Sequence, residues 1–156
     1  MNNYGADLQL EKTGLSLPPV SAPIGLYKPC LVDGKYLYLS GHGPLKDDNT
    51  LIIGRIGKEL TDEEGKLAAR QVGLNMLATI MKYIGSLNKV KRVIKILGLV
   101  NCVPEFTRQP FIINGCSELF ADIWGLDCGV GTRSAFGVGS LPNNMAVEIE
   151  AVFELV

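Results

Sequence analysis

Met145-Ala146-Val147-Glu148-Ile149-Glu150-Ala151-Val152-Phe153-Glu154-Leu155 reads as a β-strand with one face on a core. Val147, Ile149, Ala151, Phe153 and Leu155 alternate with Glu148, Glu150, Val152 and Glu154, and a period of two sends each set to its own side of a sheet. The carboxylates share the polar face and would repel one another if all were bare to water, so one is expected to have a cationic or buried partner. Crowding in a cleft would also raise a carboxyl pKa and let Glu148 exchange a proton near neutral pH.

Upstream, Arg133 to Val138 reads as another strand, followed by a turn through Gly139 to Asn144. The two strands are expected to form a hairpin, with Arg133 and Glu148 on neighbouring strands. A guanidinium there can take a carboxylate bidentately, and the glutamate can polarise a water. Position alone favours reading Arg133 as a surface residue in a rim ion pair, since exposed charges are the norm.

Farther out, Val90 to Val100 is apolar and β-branched and predicts a central strand. Thr61 and Glu64 form a capping box that starts a helix, whose stripe of Leu77, Ile80, Met81 and Ile84 runs to a stop at Gly85. Thr107 is expected to cap a second helix with Ile112, Cys116, Leu119, Phe120 and Ile123 on its apolar face and Asn114 off it. Asp33-Gly34 marks an early hairpin between Cys30 to Val32 and Tyr36 to Leu39, and Thr50 to Ile53 suggests a short third strand. The prolines between Leu15 and Lys28 predict an extended segment, so residues 1–22 are read as an extended N-terminal arm on a single 1–156 domain. This order predicts an α+β fold: a mixed sheet with two helices on one face, the other face meeting water or another subunit.

Composition narrows the function. The chain has 156 residues, a fifth of them charged, and a net charge of -1, which disfavours nucleic acid as a partner. Cys30, Cys102, Cys116 and Cys128 form no C-x-x-C pair and His42 is the only histidine, so no metal site is expected. No apolar run approaches the ~18 residues of a membrane span, and no leader pattern precedes Lys12; a soluble, cytoplasmic protein with reduced thiols is expected. His42 lacks triad spacing and reads as a structural hydrogen-bonder.

Several segments together resemble the YjgF/YER057c/UK114 family, also called the Rid (reactive intermediate deaminase) family. Arg133-Ser134-Ala135, Leu141-Pro142 and Val147-Glu148-Ile149-Glu150-Ala151 resemble its C-terminal signature. Pro23-Ile24-Gly25-Leu26-Tyr27, Leu39-Ser40-Gly41-His42-Gly43-Pro44 and Ile113-Asn114-Gly115 resemble its remaining elements in the same order. The resemblance implies a chorismate-mutase-like fold, a homotrimer with clefts between subunits, and hydrolysis of 2-imino or enamine acids to 2-keto acids and ammonia. The implied activity is that of a 2-iminobutanoate/2-iminopropanoate deaminase-like hydrolase, with no cofactor.

Carried over by position, Arg133 would clamp the substrate carboxylate and Glu148 would activate water. Ser40 and the backbone of Gly41 would contact substrate, while Tyr27 and Asn114 would shape the pocket. Ala135 stands where several active members have cysteine, and its carbonyl could place a water. His42-Gly43 and Leu26 also depart from the family pattern, which points to a divergent branch. A non-catalytic trimer binding small carboxylate metabolites is the alternative, and the family's older endoribonuclease (L-PSP) or translation-inhibitor label is the third reading.

Overall fold

The computed structural model describes residues 5–156. In chain order its elements are α1 (Ala6–Thr13), β1 (Cys30–Asp33), β2 (Tyr36–His42), α2 (Asp62–Ile84), β3 (Val90–Asn101), α3 (Gln109–Trp124), α4 (Leu126–Gly129), β4 (Thr132–Val138) and β5 (Val147–Leu155).

The capping box forms as the sequence predicts: the Thr61 hydroxyl accepts from the Glu64 N–H, and the Glu64 carboxylate accepts from the Thr61 N–H. Gly85, left-handed at φ 89°, ends α2. Helix α3 starts differently from expectation. Its N-cap is Arg108, which makes no side-chain cap; Pro110 in the first turn, rather than Thr107, sets the start. A Cβ on Gly115 would overlap the Lys66 carbonyl, so this glycine lets α3 lie directly against the α2 backbone. Both helices cover one face of the sheet, whose strand order is β1-β2-β5-β3-β4. Val147, Ile149, Ala151 and Phe153 are buried on that side, as their alternation requires.

Four further expectations need correction. First, β4 and β5 are not a hairpin: β4 runs parallel to β3, which separates it from β5. The cause lies in the connection. Asn143 and Asn144 adopt φ 53° and 56°, the Ala146 N–H donates to the Ile52 carbonyl and the Gly54 N–H donates to the Asn144 carbonyl. This pairing with residues 52–54 carries the chain past β3 before it enters the sheet.

Second, the 1–22 arm is not extended throughout. Residues 6–13 form α1, held because the Asp7 carboxylate accepts hydrogen bonds from the Ser86 hydroxyl, the Leu87 N–H and the Asn88 amide. Residues 1–4 of that expected arm lie outside the described residues. Third, Thr50 to Ile53 makes isolated bridges, Leu51 to Leu45 and Ile53 to Met145, rather than a strand. Fourth, the last strand begins at Val147, two residues later than read.

The open sheet face carries exposed apolar side chains, with Leu31 50%, Tyr38 43% and Phe136 55% accessible. Among the described residues no helix is long and apolar enough to cross a membrane.

Candidate functional site

The site residues read from the sequence fall into two groups on opposite faces of the sheet. Arg133 lies in register with Ile96 and, through it, with Ala151 on β5. Glu148 is three positions from Ala151, an odd number, so its side chain leaves the other face. The register therefore separates what the expected hairpin would have joined.

The first group is a cleft of about 820 Å³ in which Tyr27, Ser40, Gly41 and Glu148 meet. Between Leu39 paired with Ala151 and His42 paired with Ile149, β2 carries one residue more than β5. This bulge takes Ser40 and Gly41 out of regular pairing at the cleft wall. The Ser40 hydroxyl donates to the Lys28 carbonyl at 2.6 Å and its N–H to Pro29, which fastens the loop carrying Tyr27. Gly41 is there for closeness: a Cβ would overlap the Glu148 carboxylate.

Burial pushes the Glu148 pKa up, and the charge of Glu150 adds to the rise. Among the described residues, no lysine or arginine lines this cleft. Of the three acids on β5, the expected cationic partners went to Glu154: Lys35, Lys91 and Arg92 stand 2.9, 3.0 and 3.2 Å from it. Hydrogen bonds from Lys35 and Lys91 hold its carboxyl below the usual range.

The second group is Arg133 with Asn114, and with Ala135 two residues on along the same strand face. Arg133 Nη1 donates to Asn114 Oδ1 at 2.8 Å and to Ser117 Oγ at 3.1 Å. Asn114 therefore orients the guanidinium. The donors on Nη2 and Nε make no hydrogen bond to a described residue, and none of the ion pairs among those residues includes Arg133. Beside it, burial pushes the Cys116 thiol up despite the arginine's opposing charge, so this cysteine is not a nucleophile.

His42, Asn75 and Thr79 also line the cleft, and the last two were missed in the sequence. Their signal was present, since Asn75 and Thr79 stand four apart in an otherwise apolar part of α2. The Ser40 carbonyl can only accept, so His42 Nδ1 carries its proton (2.6 Å) and Nε2 accepts from the Thr79 hydroxyl (2.8 Å). Burial pushes the His42 pKa down, against the opposing Ser40 hydrogen bond. Both nitrogens are engaged, so His42 is the hydrogen-bonder that its sequence context suggested.

A mixed five-stranded sheet with helices on one side describes an α+β protein, and its cleft is acidic. The chain belongs to the YjgF family: the family's sequence model, described as "YjgF/chorismate_mutase-like, putative endoribonuclease", matches residues 7–154. It is similar to Protein TCP17 of Trypanosoma cruzi, 37% identical over 146 residues that cover 94% of this chain and 91% of that one. Among solved structures it is similar to Atu1372 of Agrobacterium tumefaciens, described as of unknown function, at 34% identity and a TM-score of 0.88, covering 99% and 96% of the two chains. A "putative endoribonuclease" of Shewanella oneidensis gives 28% identity and a TM-score of 0.91 over 96% and 99%.

Proposed function

We propose that this protein hydrolyses reactive 2-imino or enamine acids to 2-keto acids and ammonia, in clefts completed between the subunits of a homotrimer. One observation carries the reading. Among the described residues, no lysine or arginine lines the cleft holding Glu148 to bind a substrate carboxylate, while Arg133 on the opposite face has a guanidinium without a carboxylate partner. Each half lacks what the other has, and a second copy packed on the apolar open face would supply it. Membership in a family whose members act on small reactive imine or enamine intermediates supports the same reading.

In the completed site Arg133 fixes the substrate carboxylate, which places the C=N carbon beside a water held by Glu148. As the water oxygen bonds to that carbon and the C=N π pair moves to nitrogen, Glu148 takes one water proton and returns it to the nitrogen, which gives the neutral carbinolamine. Glu148 then moves the hydroxyl proton to the amine nitrogen as the C–N bond breaks and the C=O bond forms, so ammonia leaves and the keto acid remains. The raised Glu148 pKa suits a group that must accept and return a proton near neutral pH. The same acidic cleft would repel the phosphates of RNA, which argues against the endoribonuclease label.

The test is complementation. Arg133→Ala and Glu148→Gln homotrimers are each expected to be nearly inactive on 2-aminoacrylate or 2-iminobutanoate generated in situ. Trimers reassembled from an equal mixture would regain about a quarter of wild-type activity, because about one interface in four then has both intact halves. No recovery, with mixed trimers shown by mass spectrometry, would place both halves in one subunit and end this reading. Gly41→Ala provides a milder check. Its methyl group must push the Glu148 carboxylate aside, and kcat is expected to fall about tenfold to a hundredfold in steady-state assays.

A further inference from the structure

The cleft of one subunit, about 820 Å³ before a second copy closes it, extends past the groups that the proposed chemistry on a three- or four-carbon acid uses. Beyond Glu148 and Gly41 it continues toward α2 into an end walled by Leu45, Leu51 and Met145. Gly43 keeps this end in shape, since a Cβ there would run into the Met145 sulfur and approach Leu51.

The polar groups at this end are unusual in kind. Asn75 is only 8% exposed, and its Nδ2 donates to the carbonyls of Gly43, Leu45 and Gln71. Its Oδ1 receives no hydrogen bond from a described residue, and it is not sealed away: the one sealed orphan among the described residues is Asn101 Oδ1. Thr79, one helical turn on, gives its hydroxyl proton to His42 and is left with lone pairs. Asn75 and Thr79 thus present acceptors and no donors. An acceptor open to the cleft is met by water until a ligand arrives, so a ligand that reaches it needs a donor there to replace that bond.

We infer that the inner end of the cleft receives a long side chain of the ligand, apolar along its length and tipped with a hydrogen-bond donor such as a phenol hydroxyl. This deepens the proposed function, and rests on it for the carboxylate end of the ligand. The preferred substrates are then imino acids of the aryl or similarly extended class rather than those derived from three- or four-carbon amino acids. The short ones leave Leu45, Leu51, Met145 and Asn75 without contacts.

Binding and turnover are measured separately. Calorimetry on the wild-type protein compares the product-like acids 2-oxobutanoate, phenylpyruvate and 4-hydroxyphenylpyruvate; in parallel, the matching imino acids are generated in situ by an amino-acid oxidase and their hydrolysis followed. Phenylpyruvate is expected to bind at least about tenfold more tightly than 2-oxobutanoate, and the hydroxyl to add a further severalfold. Leu51→Trp, which fills the inner end, is expected to cut that preference about tenfold. Leu45→Phe serves if the first variant fails to fold. Aryl preference in binding without turnover of any imine keeps the inference and ends the hydrolase reading. Equal affinity, a preference for 2-oxobutanoate or binding of none overturns the inference, and equal binding of the two aryl acids removes the donor tip from it.

Discussion

Arg133→Ala is expected to lower kcat/KM by about 10²–10³-fold, most of it through KM, while leaving the fold intact. The guanidinium is held by Asn114 and Ser117, neutral groups that orient it without cancelling its charge. An incoming carboxylate would therefore meet a preoriented cation with free donors on Nη2 and Nε, a charge-assisted contact stronger than a neutral hydrogen bond. Since Arg133 is only partly buried and pairs with no acid among the described residues, its removal strands no buried charge. The thermal midpoint should move by no more than a few degrees. Arg133→Lys should recover only part of the loss, because an ammonium cannot bind a carboxylate bidentately. Steady-state kinetics and thermal scans on the three proteins check this, and an unchanged KM in Arg133→Ala would remove the anion clamp from the mechanism.

Several local signals in the sequence translated well, and the pairing of β4 did not. The Thr61 box, the Gly85 stop and the β5 alternation each act within a few residues, and each is found as read. The partner of β4 depends instead on where residues 52–54 hold the chain, a contact ninety residues away in sequence that no local pattern encodes. That single difference decided the geometry of the candidate site. Tyr27, Ser40, Gly41, Asn114, Arg133, Ala135 and Glu148 were all nameable from the sequence, but their division between two sheet faces required the register of β3 between β4 and β5. Helix α1 was hidden for another reason. It is short, and its stability comes from Asp7 bonded to the turn after α2, a tertiary contact rather than helix propensity.

Glu148→Gln separates an enzyme from a receptor with the same cleft. Glutamine keeps the shape and cannot take a proton from water, so kcat is expected to fall about 10²–10³-fold while KM and product affinity stay within a few fold. The wild-type pH profile should carry the same signature. Glu148 works as a base only when ionised, and burial with the neighbouring Glu150 raises its pKa, so kcat/KM should climb as pH rises through a value above the ordinary glutamate range. Glu150→Gln removes the smaller cause and should move that limb to lower pH.

Stability runs the opposite way. A carboxyl whose pKa is higher folded than unfolded favours the folded state fully below its unfolded pKa, and that contribution is lost as pH rises through the folded value. The neutral glutamine has no such loss, so Glu148→Gln should be the more stable protein at pH 7, with the difference vanishing in acid. Thermal scans at both pH values measure it. A variant that is more stable, binds keto acid as well and turns over hundreds of times more slowly would show that the buried charge of Glu148 is retained for catalysis; one that turns over like wild type would make the cleft a receptor.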